Sequence, residues 1–112
     1  AIVRSNHGGR QLDHSPAAFD VLPEIVEAVG DRLEIYIDGG VRRGTDIIKA
    51  LAFGARACMI GRGYLFGLGA GGAAGVRRAV ELLRSEFVRD MQLLGCTRVS
   101  DIGPHVLRRV TD

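Results

Sequence analysis

Three short, mostly apolar runs divide the chain, and each is followed by a polar segment that contains glycine. The predicted strands are Ala1–Arg4, Leu33–Ile37 and Ala57–Ile60. Runs of four or five residues without strict alternation are typical of strands buried on both faces, as in parallel sheets. The pattern therefore predicts three strands at these positions.

Between the runs, apolar residues recur at three- and four-residue steps, which is the period of a helix with one buried face. A first helix is expected to begin near Ser15 and Pro16, with serine as its N-cap, and to end at Gly30. A second is expected between an N-cap at Thr45 and a stop at Gly54. Their expected buried residues are Val21, Leu22, Ile25, Val26 and Val29 in the first helix, and Ile47, Ile48, Leu51 and Ala52 in the second.

The last third of the chain begins with a glycine-rich stretch, Gly67–Gly75. A long helix is expected after it, over residues 73–94, with Gly95 as its stop. A short helix is expected to begin at Pro104. The expected buried face of the long helix consists of Val76, Val80, Leu83, Phe87, Met91 and Leu94.

Strands that alternate with helices predict an α/β fold in which parallel strands are joined by right-handed crossovers. Three such units cannot close a sheet, and a (β/α)₈ TIM barrel needs about 250 residues. The 112 residues are therefore interpreted as one piece, residues 1–112, that forms the C-terminal three units of such a barrel. A missing N-terminal portion, either a separate chain or an absent segment, would complete it. The abrupt opening without Met supports this interpretation.

Composition and charge narrow the class of protein. The formal net charge is +2, from 15 basic and 13 acidic residues, which is too balanced to indicate nucleic-acid binding. Cys58 and Cys96 have no metal-binding spacing, so no metal is expected and two reduced thiols are predicted, as in a cytoplasmic protein. No apolar run reaches the ~18 residues that a membrane span needs.

Two loops carry the pattern of a phosphate site. Asp38-Gly39-Gly40-Val41-Arg42 and Gly61-Arg62 follow the last two predicted strands. In TIM barrels the loops after strands seven and eight frequently bind phosphate, because glycines let the backbone approach and arginines neutralise the charge. Two such loops in register, each with an arginine, favour an anion site over simple turns.

His7 and Arg10 lie three residues apart directly after the first strand. Arginine can bind a carboxylate with two parallel hydrogen bonds. Histidine has a reference pKa of about 6.5 and can act as a neutral base at pH 7. The pair fits removal of a proton from a 2-hydroxy acid, with electron transfer to a bound cofactor. His14 and His105 are assigned to the surface.

The segments Ser5-Asn6-His7-Gly8-Gly9-Arg10-Gln11-Leu12-Asp13, Asp38–Asp46 and Ile60-Gly61-Arg62 together resemble the FMN-dependent L-2-hydroxy acid oxidase and dehydrogenase family. This family includes glycolate oxidase, lactate oxidase, L-lactate dehydrogenase and mandelate dehydrogenase, which act on lactate, glycolate or mandelate. The resemblance runs from about residue 1 to residue 105.

The resemblance implies FMN as cofactor and a role for each matching residue. His7 is the base and also contacts substrate, and Arg10 binds the substrate carboxylate. Ser5 lies near the flavin, and Asp38 contacts the ribityl chain. The residues implied to hold the FMN phosphate are Gly40, Arg42, Gly61 and Arg62, and Gly39 is implied to contact the cofactor.

Several points stay open at the level of sequence. The resemblance implies a homotetramer, and it implies that the chain alone is not a competent enzyme, because other family residues precede Ala1. Gly63 stands where proline or alanine is more usual. An alternative is a phosphate-binding barrel of the inosine monophosphate dehydrogenase type, or a non-catalytic fragment. The electron acceptor can be oxygen, a quinone or a cytochrome, and a quinone-linked enzyme would lie at the periphery of the inner membrane.

Overall fold

The computed structural model describes residues 1–108, and these form three β/α units in sequence. The elements are β1 (Ile2–Ser5), α1 (Ala18–Val29), β2 (Ile35–Asp38), α2 (Gly44–Ala52), β3 (Ala57–Met59) and α3 (Arg62–Leu93). His7–Gly9 form a tight turn, and short 3₁₀ helices occupy Val99–Asp101 and Pro104–Val106. The predicted α/β alternation is confirmed, as is a helical turn at Pro104.

The three strands form one parallel sheet in the order β1-β2-β3. Ser5 pairs with Asp38, and Asp38 pairs with Met59, so the last residues of all three strands lie side by side. The predicted parallel pairing is confirmed. Its consequence is that the loops after β1, β2 and β3 leave from the same edge of the sheet.

Helices cover one face of this sheet. Ile35 and Ile37 are almost fully buried and pack with Leu22 of α1, while Cys58 is half-buried beside them. Successive side chains of a strand point to opposite faces. On the other face, Val3 is 51% exposed and Met59 is 46% exposed. The sheet is thus packed on one side and bare on the other.

A second apolar cluster joins α2, α3 and the segment that follows them. Its buried residues are Ile48, Ala52, Met91, Cys96 and Ile102. Phe87 and Met91 of the predicted face of the last helix pack here. The prediction is wrong for Val80 and Leu94, which are 47% and 44% exposed.

Two predicted N-caps are wrong. α1 begins at Ala18 rather than near Ser15, because Arg4 and Asn6 donate side-chain hydrogen bonds to the Pro16 carbonyl (3.3 and 3.4 Å) and hold this segment to the preceding loop.

The residue that precedes α2 is Arg43 rather than Thr45. The Asp46 carboxylate accepts from the backbone N–H groups of Arg42 and Arg43 (3.0 and 2.9 Å), so helical geometry starts one residue before the threonine.

The glycine-rich stretch is helical, which corrects the prediction of a helix that starts at residue 73. α3 starts at Arg62 and reverses at Gly71 (φ −159°) and Gly72 (φ 57°). Its two arms fold against each other so closely that a Cβ on Gly67 would lie 2.5 Å from the Gly75 carbonyl oxygen. None of the helices within residues 1–108 combines the length and apolar character needed to cross a lipid bilayer.

Candidate active site

The loop after β1 is held in a left-handed conformation over three successive residues. His7, Gly8 and Gly9 have φ values of 52°, 66° and 73°. The Asn6 side chain accepts from the Gly8 N–H (3.1 Å), and its carbonyl accepts from the Gly9 N–H (2.9 Å). A left-handed residue other than glycine costs about 1–3 kcal/mol, and such residues cluster at functional sites. The rest of the fold therefore stabilises one strained conformation of the segment that carries His7.

Ser5 connects this loop to the neighbouring strand. Its hydroxyl donates to the Asp38 carboxylate at 2.6 Å and accepts from the His7 backbone N–H at 3.0 Å. The link thus runs from Asp38, at the end of β2, to the backbone of the predicted base. Asp38 was predicted to contact a ribityl chain. In this structure one of its oxygens already accepts from Ser5, and the carboxylate can accept further hydrogen bonds at its second oxygen.

His7 and Arg10 lie on one loop and are both exposed. Within residues 1–108, neither side chain has a hydrogen bond or ion pair to protein. Their polar atoms are therefore available to a small molecule at this edge of the sheet. His14 and His105 are exposed, as predicted.

The loop after β2 contains Gly39 (φ 102°) and Gly40 (φ 82°), values that suit glycine. Beyond them, the N-terminus of α2 is already occupied by carboxylates. The Asp46 carboxylate accepts hydrogen bonds from the backbone N–H groups of Arg42 and Arg43. The Glu86 carboxylate accepts from the Gly44 N–H at 2.9 Å and lies 3.4 Å from the Arg43 guanidinium. An anion at this loop would meet the two glycines and the exposed Arg42 side chain rather than the start of the helix.

The N-terminus of α3, in contrast to that of α2, has no side-chain cap. Gly61 precedes the helix without a side-chain cap, and the first turn contains no acidic residue. A Cβ on Gly61 or Gly63 would have no neighbour within 4 Å, so the space beside this terminus is open. Uncapped N–H groups at a helix start attract anions. Of the two predicted phosphate loops, Gly61-Arg62 supplies the helix terminus and Gly39–Arg42 supplies glycine backbone and a guanidinium.

Cys58 is not placed to act as a nucleophile. Burial in the sheet raises the pKa of its thiol to about 11, and the nearby Asp46 carboxylate adds to the effect. The thiol is therefore protonated at neutral pH and is a poor nucleophile. Both cysteines are free. Across the part of the chain that the structure describes, no group of three or more His, Cys, Asp or Glu side chains could hold a metal ion.

Comparison with known proteins decides the family. The model of the FMN-dependent dehydrogenase family matches residues 1–109. The chain belongs to this family. It is a family of FMN-dependent enzymes, and the alternative of an inosine monophosphate dehydrogenase type of barrel gains no support from the comparisons.

Two oxidases are similar to the chain over nearly its whole length. It is 58% identical to an L-lactate oxidase from Nostoc over 107 residues, which is 96% of this chain and 29% of that protein. It is 52% identical to a peroxisomal (S)-2-hydroxyacid oxidase from Arabidopsis thaliana, with 96% and 30% covered. The chain therefore spans a little under a third of the length of these relatives.

Solved structures of the family have the same arrangement. A soluble mutant of the membrane-associated (S)-mandelate dehydrogenase from Pseudomonas putida superposes with a TM-score of 0.91 at 41% identity, covering 96% of this chain and 30% of that one. A flavocytochrome b2 mutant gives a TM-score of 0.87 at 42% identity, covering 98% and 32%. The parallel β/α arrangement of this chain is thus part of a larger family structure.

For a family that depends on FMN, the donors at the edge of this sheet suit the phosphate end of the cofactor. The exposed guanidinium of Arg42, the uncapped start of α3 and the open space at Gly61 provide positive charge and room for an anion. Two carboxylates that accept hydrogen bonds at the start of α2, those of Asp46 and Glu86, were not predicted from the sequence. Asp46 could have been found from its spacing, three residues after the N-cap. Nothing in the sequence points from Gly44 to Glu86, which lies 42 residues further along.

Proposed function

We propose that the protein oxidises an L-2-hydroxy acid of the lactate, glycolate or mandelate type to the 2-oxo acid, with FMN as cofactor. The observation that carries the proposal is the common edge of the sheet. The loop of His7 and Arg10 leaves β1 there, beside the Asp38 loop and the Gly61 loop of the neighbouring strands. Relatives named for the oxidation of lactate and of 2-hydroxy acids support the same substrate class.

Residues 1–112 are proposed to be the C-terminal three units of an FMN-binding (β/α)₈ barrel. In the described sheet, the outer strands β1 and β3 are each paired on one side only, and one face is bare, with Val3 and Met59 half exposed. Apolar strand surface of this kind is normally covered in an all-parallel sheet. The remaining units of the barrel would cover it, which agrees with the fraction of the relatives that this chain spans.

In the proposed reaction, the substrate loses two electrons and two protons: its C–H and O–H bonds break, and a carbonyl double bond forms at the former hydroxyl carbon. Arg10 binds and orients the carboxylate, because its exposed fork matches two carboxylate oxygens. His7 accepts one proton from the substrate, and the Asp38–Ser5 link fixes its backbone. FMN, when bound, would accept the two electrons and the second proton.

Cofactor contacts are proposed for the residues that the family resemblance implies. Arg42 and Arg62 would neutralise the phosphate, and Asp38 would accept a hydrogen bond from a ribityl hydroxyl. Glycine backbone would approach the cofactor at the remaining positions. These are Gly39, Gly40 and Gly61, with Ser5 beside the flavin.

Assembly and location are further parts of the proposal. A homotetramer is proposed, with the last arm of α3 offering half-exposed apolar residues such as Val80 and Val88 for contacts. A cytoplasmic location is proposed, with association at the inner membrane if the acceptor is a quinone.

The proposal is tested by replacing His7 with glutamine in the assembled protein, in which the remaining units of the barrel accompany these residues. His7→Gln should abolish turnover of L-lactate, glycolate and L-mandelate while FMN stays bound, because the side chain has no described protein contact to lose. His14→Gln is the matched control, since His14 is exposed on the same loop. Turnover that survives in His7→Gln would eliminate the assignment of the base.

The carboxylate role of Arg10 is tested separately. Arg10→Met should raise KM for the hydroxy acid by roughly 100-fold, the loss expected for a bidentate ion pair, and leave FMN affinity unchanged. Arg32→Met is a control, because Arg32 lies in the α1–β2 connection at the opposite edge of the sheet. An unchanged KM in Arg10→Met would show that another group binds the carboxylate.

A further inference from the structure

The guanidinium of Arg62 reaches across the sheet to the loop of the proposed base. Arg62 is the first residue of α3, after β3, and its Nη2 donates to the Gly8 carbonyl at 3.2 Å. Because β2 lies between β1 and β3, this contact spans the width of the described sheet. It joins the residue next to His7 directly to one of the two arginines of the proposed phosphate site.

Gly8 is suited to this contact in two ways. Its φ of 66° lies in the left-handed region, which a residue with a side chain rarely adopts. A Cβ at this position would also lie 2.5 Å from Arg62 Nη2, and would push the guanidinium away. Glycine at this position therefore permits both the turn and the approach of Arg62.

The loop of His7 is thereby held from two sides. On one side, Ser5 links the His7 N–H to Asp38 of β2. On the other side, Arg62 holds the Gly8 carbonyl. A guanidinium has five N–H donors, and the contact with Gly8 uses one of them, so the others remain for an anion.

We propose that Arg62 is a positioning residue for His7, which couples the anchoring of the cofactor phosphate to the shape of the loop that carries the base. The proposal rests on the proposed function, since it assigns the second partner of Arg62 to the FMN phosphate. Arg42 would share the phosphate but has no described contact with the His7 loop. The two arginines are thus expected to differ in their effect on His7, even where they contribute equally to FMN affinity.

The experiment measures hydrogen–deuterium exchange of the amides of residues 6–11 in the FMN-free protein. Arg62→Gln should accelerate exchange in this segment about tenfold, as expected for the loss of one hydrogen bond from a charged donor. Arg42→Gln, the matched control, should leave exchange there unchanged. Arg62→Lys, which keeps the charge, should recover part of the protection.

A second measurement uses the FMN-saturated protein, in which the pH profile of turnover reports the base. The acidic limb should move in Arg62→Gln and Gly8→Ala, and stay in place in Arg42→Gln. Exchange at residues 6–11 that is equal in wild type and Arg62→Gln, or equal in the two arginine variants, would overturn the coupling. Failure of the wild-type protein to bind FMN would instead defeat the proposed function, and the exchange comparison would still decide whether Arg62 holds the loop.

Discussion

The Ser5 hydroxyl lies 2.6 Å from the Asp38 carboxylate and accepts the His7 backbone N–H, so a serine at the end of one strand joins the neighbouring strand to the left-handed loop. A hydroxyl can serve both partners because it is a donor and an acceptor at once. The consequence is that the orientation of His7 depends on a residue two positions earlier in the chain.

Replacement of Ser5 by alanine should therefore impair His7 without unfolding the protein. Ser5→Ala removes both hydrogen bonds, and we expect kcat to fall about tenfold, in line with one net hydrogen bond at the site. Ser85→Ala is the control, because Ser85 makes only a local bond to the Glu81 carbonyl on an exposed helix. Steady-state kinetics with FMN in excess checks the prediction, and wild-type kcat in Ser5→Ala would contradict it.

The cap of α2 by a distant carboxylate gives a second prediction. Glu86→Ala should destabilise the protein by about 1–2 kcal/mol, because the Gly44 N–H loses its acceptor and Arg43 loses its partner. Glu86→Gln keeps an acceptor and should cost less. Glu81→Ala is matched on the same helix but has only an exposed contact with Arg78 at 3.9 Å, and should change stability by less than about 0.5 kcal/mol. Urea denaturation distinguishes these values, and equal effects of Glu86→Ala and Glu81→Ala would refute the capping role.

The close approach of the two arms of α3 gives a third prediction. Gly67→Ala should destabilise the protein by about 1–3 kcal/mol, since its Cβ would lie 2.5 Å from the Gly75 carbonyl oxygen. Gly69→Ala, two residues along the same arm, has no neighbour within 4 Å and should be neutral or stabilising by about 0.5–1 kcal/mol. Thermal unfolding of the two variants measures the difference. A neutral Gly67→Ala would mean that the arms can separate at little cost.

The thiol of Cys58 gives a prediction for pH. Its pKa in the folded protein is about 11, above the value of 9.0 for an unburied thiol, mainly because burial disfavours the charged form. The folded state thus binds this proton more tightly, so the stabilisation is complete below pH 9 and is lost as pH rises toward 11. Stability measured by urea denaturation from pH 8 to pH 11 should fall more steeply in wild type than in Cys58→Ala. Parallel curves would show that Cys58 titrates normally.

The sheet and the position of the loops could be predicted from the sequence because both depend on local signals. Apolar runs mark the strands, and residues such as Gly40 and Gly61 mark the turns where parallel strands end. The helix start at Ala18 was missed because its cause lies elsewhere in space, where Arg4 and Asn6 hold the segment before α1. At the start of α2, the contact of Asp46 is local, and only the cap by Glu86, from 42 residues away, had no signal in the sequence.

The first arm of α3 was missed for a different reason. Glycine lowers helix propensity, so a glycine-rich stretch predicts a loop when it is considered alone. In the structure Gly67 and Gly75 allow two helical backbones to touch, and this tertiary contact outweighs the local preference. Parts of the candidate site that share one loop, such as His7 and Arg10, are visible in the sequence, whereas the bond between Arg62 and Gly8 depends on the fold, since 54 residues separate the two.

The left-handed backbone of His7 has a consequence for any attempt to make this protein more heat-resistant. Position 7 has a φ of 52°, which glycine adopts freely and asparagine tolerates better than most residues. A library sorted for thermal tolerance alone should therefore enrich glycine or asparagine at position 7 and yield sturdier molecules that have lost their proposed base. Screens for robustness in this protein need an activity assay in every round.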